Sequence, residues 1–330
     1  MAKKSFKKSS KTEAETPKID LYEKVTQSII NALEAGVRPW MRPWNGPEGC
    51  GGLPIRANGQ FYSGINVVLL WTAAEVKGFS NARWMTFNQA KELGGMVRKG
   101  EKATMIVYAS RFVPKDEKAR AERDGDKARE ISMLKQYFVF NVEQVEGLPE
   151  NYYGKPSKTP ETTKAKLERL DHIEAYFAAT KADVRHGGNQ AFWSPGEDFI
   201  KLPELDTFKD VESYYATKGH EFVHWTGGKS RLNRDYSTRF GSEAYAAEEL
   251  VAEMGSAFLC AVLGITPEVR EDHAQYLGHW LKVLRDDKRF IFTAAGAAQK
   301  AVTFLNGFSG TKDVIPENDE PSETEAQEAA

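Results

Sequence analysis

One five-residue segment, His220-Glu221-Phe222-Val223-His224, strongly restricts what this chain can fold into. Residues i and i+4 of an α-helix lie on one face, so a helix here would bring the two imidazoles together as ligands for one metal ion. Glu221 would then lie beside the ion, where it holds a water molecule rather than binding the metal. This HExxH spacing is typical of zinc-dependent peptidases. The chain has only six histidines, which makes a chance match rare.

A catalytic zinc site usually combines three protein ligands with one water molecule. The third ligand is expected from a downstream apolar helix that carries Glu248, Glu249 and Glu253. Glu249 and Glu253 are one turn apart and share a face. We predict Glu249 as the third ligand and Glu253 as the acceptor for the second ring N–H of a ligand histidine. Glu248 points about a quarter turn away and is the weaker candidate. Acids buried in such a helix are costly without a cation, which supports the metal independently.

The expected cofactor is Zn²⁺, with Mn²⁺ or another divalent transition metal as alternatives. Glu221 is the predicted general base for attack of water on a peptide carbonyl. A second electrophile remains open among Tyr236, Tyr245, His273 and His279. Two other interpretations also stay open: a metal site that hydrolyses nothing, and a pair of ordinary histidines near a helix C-terminus, where histidine is favoured.

Charge divides the chain into two halves. Residues 1–150 carry 24 Lys and Arg against 18 Asp and Glu, whereas residues 151–330 carry 21 against 29. A polyanionic partner is therefore expected on the first half. The two cysteines, Cys50 and Cys260, do not form a disulfide framework. The first residues are lysine-rich without a following apolar core, so no signal peptide is visible, and no apolar run is long enough to span a membrane. We therefore expect an intracellular, cytoplasmic protein.

The first half also mixes aromatic with basic side chains, a composition that suits single-stranded DNA, which is held by base stacking and by cations along its backbone. Core packing is the competing explanation for each of these aromatic residues. The candidate DNA-binding residues are Arg38, Trp40, Arg42, Trp44, Arg56, Tyr62, Arg83, Trp84, Lys99 and Lys102.

The hydrophobic patterns predict an α+β protein. A small N-terminal α+β DNA-binding domain precedes a mostly helical metallopeptidase domain with a small antiparallel sheet. The predicted segments are a basic arm at 1–18, a DNA-binding domain at 19–148, a linker at 149–163, a metallopeptidase domain at 164–310 and an acidic tail at 311–330. Asp20 and Thr86 are predicted helix caps. The helix containing the HExxH segment is predicted over 208–225, and further helices are predicted over 243–263, 267–285 and 290–308.

At this point the chain resembles the ArdC family of plasmid antirestriction proteins. The resemblance covers about residues 19–310 and rests on motifs in both halves. In the first half these are the opening helix with Arg38-Pro39-Trp40, Tyr62-Ser63-Gly64-Ile65-Asn66, the segment from Arg83 to Ala90, and Lys99-Gly100-Glu101-Lys102. In the second half they are Phe192-Trp193-Ser194, Ile200-Lys201-Leu202-Pro203, His220 to Gly227, and Glu248 to Glu253.

The resemblance implies an N-terminal domain that binds single-stranded DNA and a C-terminal zincin domain of the gluzincin or SprT-like type. It also implies a role in protecting incoming plasmid DNA from host restriction during conjugation, with an unknown host protein as the peptidase substrate. The protein could act where it is made or after transfer to the recipient cell. Two alternatives stay open: a metalloprotease that cleaves DNA-bound proteins, and a single-strand-binding protein whose metal is purely structural.

Overall fold

The structure is a computed structural model that describes residues 20–38, 40, 52–128, 131–153, 163–240, 243–265 and 276–310. The predicted basic arm and acidic tail, the candidates Arg42, Trp44 and His273, and Cys50 all lie outside these residues. Most of the predicted linker, from 154 to 162, also lies outside them.

The first half combines helices with a three-stranded antiparallel sheet. Its helices are α1 (Leu21–Glu34), α2 (Ile65–Lys77), α3 (Phe87–Glu92), α4 (Lys115–Asp124) and α5 (Glu150–Tyr153). Its strands are β1 (Trp84–Met85), β2 (Met96–Val97), β3 (Thr104–Phe112), β4 (Ile131–Asn141) and β5 (Val145–Glu146). The main sheet has the order β1-β4-β3, and β2 pairs with β5 in a separate two-stranded ribbon.

Local capping explains where two of these helices begin. The Asp20 carboxylate accepts a hydrogen bond from the backbone N–H of Tyr22 (2.9 Å), which satisfies one of the unpaired donors of the first turn of α1. At α3 the Thr86 hydroxyl accepts from the Gln89 backbone N–H, and the Gln89 side chain accepts from the Thr86 backbone N–H. This reciprocal pair confirms the capping box predicted from the sequence.

The second half is mostly helical. Its helices are α6 (Thr163–Ala178), α7 (Val211–Thr226), α8 (Ser237–Phe240), α9 (Ala244–Leu263), α10 (Leu277–Asp286) and α11 (Phe290–Ser309). Its strands are β6 (Asp183–His186), β7 (Phe192–Ser194) and β8 (Phe199–Leu202), in the order β6-β8-β7. Strands β7 and β8 pair antiparallel as a hairpin, in agreement with the small antiparallel sheet predicted for this half. Strand β6 pairs parallel to β8 and was not predicted.

The two halves share one hydrophobic core. Helices α1 and α2 pack against α10 and α11, and most of the buried apolar residues of both halves belong to one continuous cluster. Aromatic pairs cross the boundary, including Trp71 with Phe258, whose ring centroids are 5.5 Å apart. The Thr26 hydroxyl also donates to the Lys288 backbone carbonyl across this boundary (2.6 Å). Burial of this extent ties the first half firmly to the helices that carry the candidate metal site.

Within the described residues, no helix is both long and apolar enough to cross a bilayer.

Candidate metal centre

Helices α7 and α9 approach closely because small residues line their contact. A Cβ atom on Gly255 of α9 would lie 2.8 Å from a Val223 methyl carbon of α7, closer than side chains tolerate. The next residue of α9 is Ser256, and its hydroxyl donates to the Ala216 backbone carbonyl of α7 (3.0 Å). The close approach brings the ligand candidates of one helix within reach of those of the other.

Three candidate ligands converge between these helices. His220 Nε2 and His224 Nε2 lie 3.1 Å apart. Glu249 Oε2 is 3.5 Å from His220 Nε2, and Glu249 Oε1 is 3.3 Å from His224 Nε2. Ligands about 2.0–2.1 Å from a tetrahedral Zn²⁺ are separated by about 3.3 Å from one another. The observed separations are close to this value, although the two Glu249 distances involve different carboxylate oxygens. One atom from each of the three residues lies within 4.8 Å of the other two, so these residues fit a divalent metal.

The outer nitrogen of each imidazole faces a further carboxylate. Glu253 Oε1 lies 3.2 Å from His220 Nδ1, the pairing expected from the sequence. Glu248 Oε1 lies 3.4 Å from His224 Nδ1. The sequence predicted Glu248 only as a weaker ligand candidate, so its contact with His224 was not predicted. Each carboxylate can accept a hydrogen bond from the Nδ1–H of its imidazole, which keeps the proton on Nδ1 and leaves Nε2 with a lone pair for a metal ion.

Arg234 holds Glu248 in place. Its guanidinium donates to Glu248 Oε1 (2.7 Å), to the Thr226 hydroxyl (2.7 Å) and to the Val223 carbonyl (2.6 Å). The Arg234 side chain is only 6% exposed, so its charge is stabilised mainly by these partners. A chain of contacts thus runs from Arg234 through Glu248 to His224.

The Gly227-Gly228 pair after α7 makes room for two arginines. A Cβ atom on Gly227 would lie 2.9 Å from the Arg234 guanidinium, and one on Gly228 would lie 2.2 Å from that of Arg231. Arg231 forms a bidentate pair with Asp198 in the β7–β8 turn (2.6 and 2.9 Å).

The electrostatics of the cluster favour a positive charge. Burial alone would lower the pKa of His220, but hydrogen bonds that its ring donates to the Glu249 and Glu253 carboxylates outweigh burial and raise that pKa. The same balance raises the pKa of His224, with Glu248 and Glu249 as the partners. Burial would raise the pKa of Glu249, yet its contacts with the two imidazoles lower it well below its usual range. A buried site with this balance favours a bound cation, whether protons or a metal ion.

Glu221 is buried at 4% exposure, one residue after His220 and three before His224 on α7. Tyr245 lies on α9 one turn before Glu249 and is 63% exposed. Partial desolvation of its hydroxyl, hydrogen bonding with Tyr276 and the charge of Glu249 all raise the pKa of Tyr245. The candidate electrophile Tyr245 therefore lies beside the ligand candidate Glu249.

Two other candidates lie in different surroundings. The Tyr236 ring packs edge-on against Phe290, with centroids 5.6 Å apart, and burial raises the pKa of its hydroxyl to about 12. His279 Nδ1 lies 3.0 Å from a carboxylate oxygen of Glu243. This contact turns the ring toward a surface ion pair.

Two family profiles match the chain. Residues 19–140 match the profile described as the N-terminal domain of anti-restriction factor ArdC, and residues 171–297 match that of a zincin-like metallopeptidase. The crystal structure of the metal-free antirestriction protein ArdC from plasmid R388 is 42% identical. The match covers 89% of this chain and 99% of that one, with a TM-score of 0.73. This chain belongs to the ArdC family.

Other relatives extend this assignment. The Mn(II)-bound structure of the same R388 protein is 41% identical and covers 89% of this chain and all of that one, with a TM-score of 0.71. Protein y4eC of Sinorhizobium fredii is uncharacterised and is 38% identical over 87% of this chain and 92% of its own length. Two forms of the DNA primase TraC of Escherichia coli are 39% and 40% identical, but the chain spans only 27% and 20% of their lengths.

The candidate DNA-binding aromatics of this ArdC-family chain are mostly inside the core. Trp40 is 3% exposed, Tyr62 is fully buried and Trp84 is 1% exposed. Their rings cannot stack on bases in this conformation, because packing already covers both faces. Core packing, the competing explanation for these residues, accounts for all three.

The basic candidates divide between the core and the surface. Arg56 is 4% exposed, with its guanidinium 4.6 Å from the centre of the Tyr62 ring. Arg83 donates to the carbonyls of Arg56 and Ala57 (3.1 and 3.2 Å). Arg38 is half-buried. Lys99 and Lys102 are exposed, so these two keep the position that a DNA contact requires.

Proposed function

We propose that this ArdC-family protein binds single-stranded DNA and acts as a zinc-dependent endopeptidase that protects incoming plasmid DNA from host restriction. The observation that carries the enzymatic part is the triangle of His220, His224 and Glu249, with its near-tetrahedral separations. Both imidazoles also have a carboxylate at their outer nitrogen, an arrangement that prepares the inner nitrogens for a metal.

Zn²⁺ is the proposed metal, since two imidazoles and one carboxylate leave a fourth position for water and match the ligand set of zinc hydrolases. Mn²⁺ is the alternative, because a Mn(II)-bound structure exists for a relative. Once bound, such an ion supplies Lewis-acid polarisation of the peptide carbonyl and lowers the pKa of water.

The remaining steps fall to side chains of this protein. Glu221 accepts a proton from the attacking water and returns it to the leaving amine. Tyr245 donates a hydrogen bond to the developing oxyanion, a role consistent with its position one turn before Glu249. An extended substrate would pair with the outer edge of β7, since β7 is an edge strand of a sheet that packs against α7.

Replacement of Glu221 by Gln tests the enzymatic part. The variant should retain metal stoichiometry and thermal stability but lose peptide hydrolysis by at least about 100-fold, because a general base contributes roughly 10²–10⁴-fold. The measurements are metal content of purified protein, unfolding temperature and cleavage of DNA-bound proteins. Exposed Glu122 on α4 provides the matched Gln control.

The effect of Glu221→Gln on protection against restriction distinguishes the remaining functional hypotheses. If Glu221→Gln still protects plasmid DNA in a conjugation assay, hydrolysis is not the protective activity, and a binding protein with a structural metal explains the data. If protection and cleavage disappear together, the result supports the hypothesis that peptidase activity provides the protection. Cleavage without any protection would indicate a metalloprotease that removes DNA-bound proteins.

Replacement of Tyr245 by Phe tests the oxyanion role. It should lower kcat by roughly 10- to 1000-fold with little change in KM, because the lost hydrogen bond forms in the transition state. Tyr236→Phe is the matched control, since that hydroxyl belongs to a packed ring beside Phe290. Equal losses in both variants would remove Tyr245 from the mechanism.

A further inference from the structure

An exposed aromatic strip lies on the outer face of the main sheet, opposite the large core. Strand β4 alternates, so buried Tyr137 and Val139 point to the core while Phe138 and Phe140 point outward. The Phe87 ring, at the start of α3, lies 6.5 Å from the Phe140 ring. We call Phe87, Phe138 and Phe140 the aromatic strip.

Exposure singles out the ends of this strip. Phe87 is 52% exposed and Phe138 is 47% exposed. Every other aromatic side chain described between residues 20 and 153 is buried or half-buried. Two large rings left in water beside a third are a recognisable feature of a binding surface, because burying them would otherwise stabilise the fold.

Exposed lysines occur on the helix and the turn that neighbour the strip in the chain. Residues 83–105 carry five Lys and Arg against two Asp and Glu. Lys91 is exposed one helical turn after Phe87, on the same side of α3. The turn with exposed Lys99 and Lys102 is tied to the end of β4, because the Gln144 amide donates to the Lys102 carbonyl (3.1 Å).

The acids of the same segment do little to offset this charge. Glu101 accepts hydrogen bonds from Arg98 (2.8 Å) and from the Gln144 amide (2.8 Å), and both contacts lower its pKa. It is therefore paired with Arg98, and the remaining charged residues of the segment are four basic residues against Glu92. A surface that combines exposed rings with lysines suits a flexible polyanion whose bases have faces to stack. Protein interfaces are instead depleted in lysine.

We propose that the single strand lies across this outer face, with bases stacked on Phe87 and Phe138 and phosphates near Lys91, Lys99 and Lys102. The inference deepens the proposed function by naming the DNA contact surface, and it depends on that function. Stacking on ring faces does not distinguish bases by hydrogen bonds, so binding should tolerate most sequences. Adjacent strands of other single-strand-binding sheets use exposed aromatics in the same physical way.

Fluorescence anisotropy with the full-length protein and a labelled oligo(dT) strand tests the surface. Phe87→Ala and Phe138→Ala should each weaken binding by roughly 5- to 100-fold, the range for loss of one stacked base. The dependence of affinity on salt should stay unchanged, since no phosphate contact is lost. Phe138→Tyr should restore most of the affinity. Phe308→Ala is the matched control, because Phe308 is 42% exposed on α11 in the second half.

The outcomes separate the two proposals. A wild-type protein that does not bind any single strand overturns the DNA part of the proposed function. Wild-type binding that Phe87→Ala and Phe138→Ala leave within about twofold overturns the surface, because the strand then lies elsewhere. If either variant unfolds, Lys91→Glu and Lys99→Glu, both at exposed positions, carry the same test: unchanged affinity overturns the surface and a loss supports it.

Discussion

The metal centre and the outer sheet face differ in how their functional residues are held. At the metal centre His220, Glu249 and Glu253 are each less than a tenth exposed, and both carboxylates contact His220. On the sheet face Phe138 is 47% exposed and projects from its strand toward solvent. Buried polar groups depend on their partners, so changes at the metal centre should be large and coupled. Changes on the sheet face should be smaller and independent.

The largest effect is expected from loss of a metal ligand. Glu249→Ala should weaken metal binding by roughly a thousandfold, because a binding free energy of about 10–16 kcal/mol is shared among few ligands. It also removes the carboxylate that lies 3.3 Å from His224 Nε2 and 3.5 Å from His220 Nε2. Competition of the purified variant with a metal-sensitive dye measures the change. A variant that keeps wild-type affinity would show that the metal is held elsewhere.

The next effect concerns the carboxylates behind the ligands. Glu248→Gln and Glu253→Gln should each weaken metal binding by about 10- to 100-fold. Each substitution replaces the charged carboxylate that accepts a hydrogen bond from an imidazole N–H with a neutral amide. Because both imidazoles bind the same ion, the double variant should depart from the product of the single effects by more than about twofold. Independent effects at these two positions would contradict the coupling attributed to the buried site. The exposed Glu122→Gln variant again serves as control.

These two regions also differ in what the sequence could predict. Helical spacing alone brought His220 and His224 together, and the same rule paired Glu249 with Glu253. The contact of Glu248 with His224 depends on how α9 is rotated against α7, and that rotation is determined by close packing at Gly255. The way in which two helices are rotated and packed against each other has no local signature in the sequence.

On the sheet face, by contrast, the sequence pattern alone led to aromatic residues that are buried. Trp40 and Trp84 lie in a part of the sequence rich in aromatic and basic residues, a composition that suits a stacking surface. Composition does not say, however, which side of a loop or strand faces the core. The alternation through Phe138 becomes informative only once β4 is known to have one covered face. Strand β6 was missed for a related reason, because its parallel pairing with β8 leaves no hairpin signal between them.

The smallest effects are expected from single lysines on the sheet face. Lys91→Ala and Lys99→Ala should each lower single-strand affinity only a few-fold at moderate salt. Each should reduce the slope of log affinity against log salt by about 0.7, the value for one phosphate contact on a single strand. Both side chains are exposed, and neither change should alter the unfolding temperature measurably.

Because the positions do not share a partner, the loss of affinity in the double variant should equal the product of the two single losses. Titration of the four proteins at several salt concentrations tests this directly. A double variant much weaker than that product would mean that the sheet face is as tightly coupled as the metal centre, and the contrast between the two regions would fail.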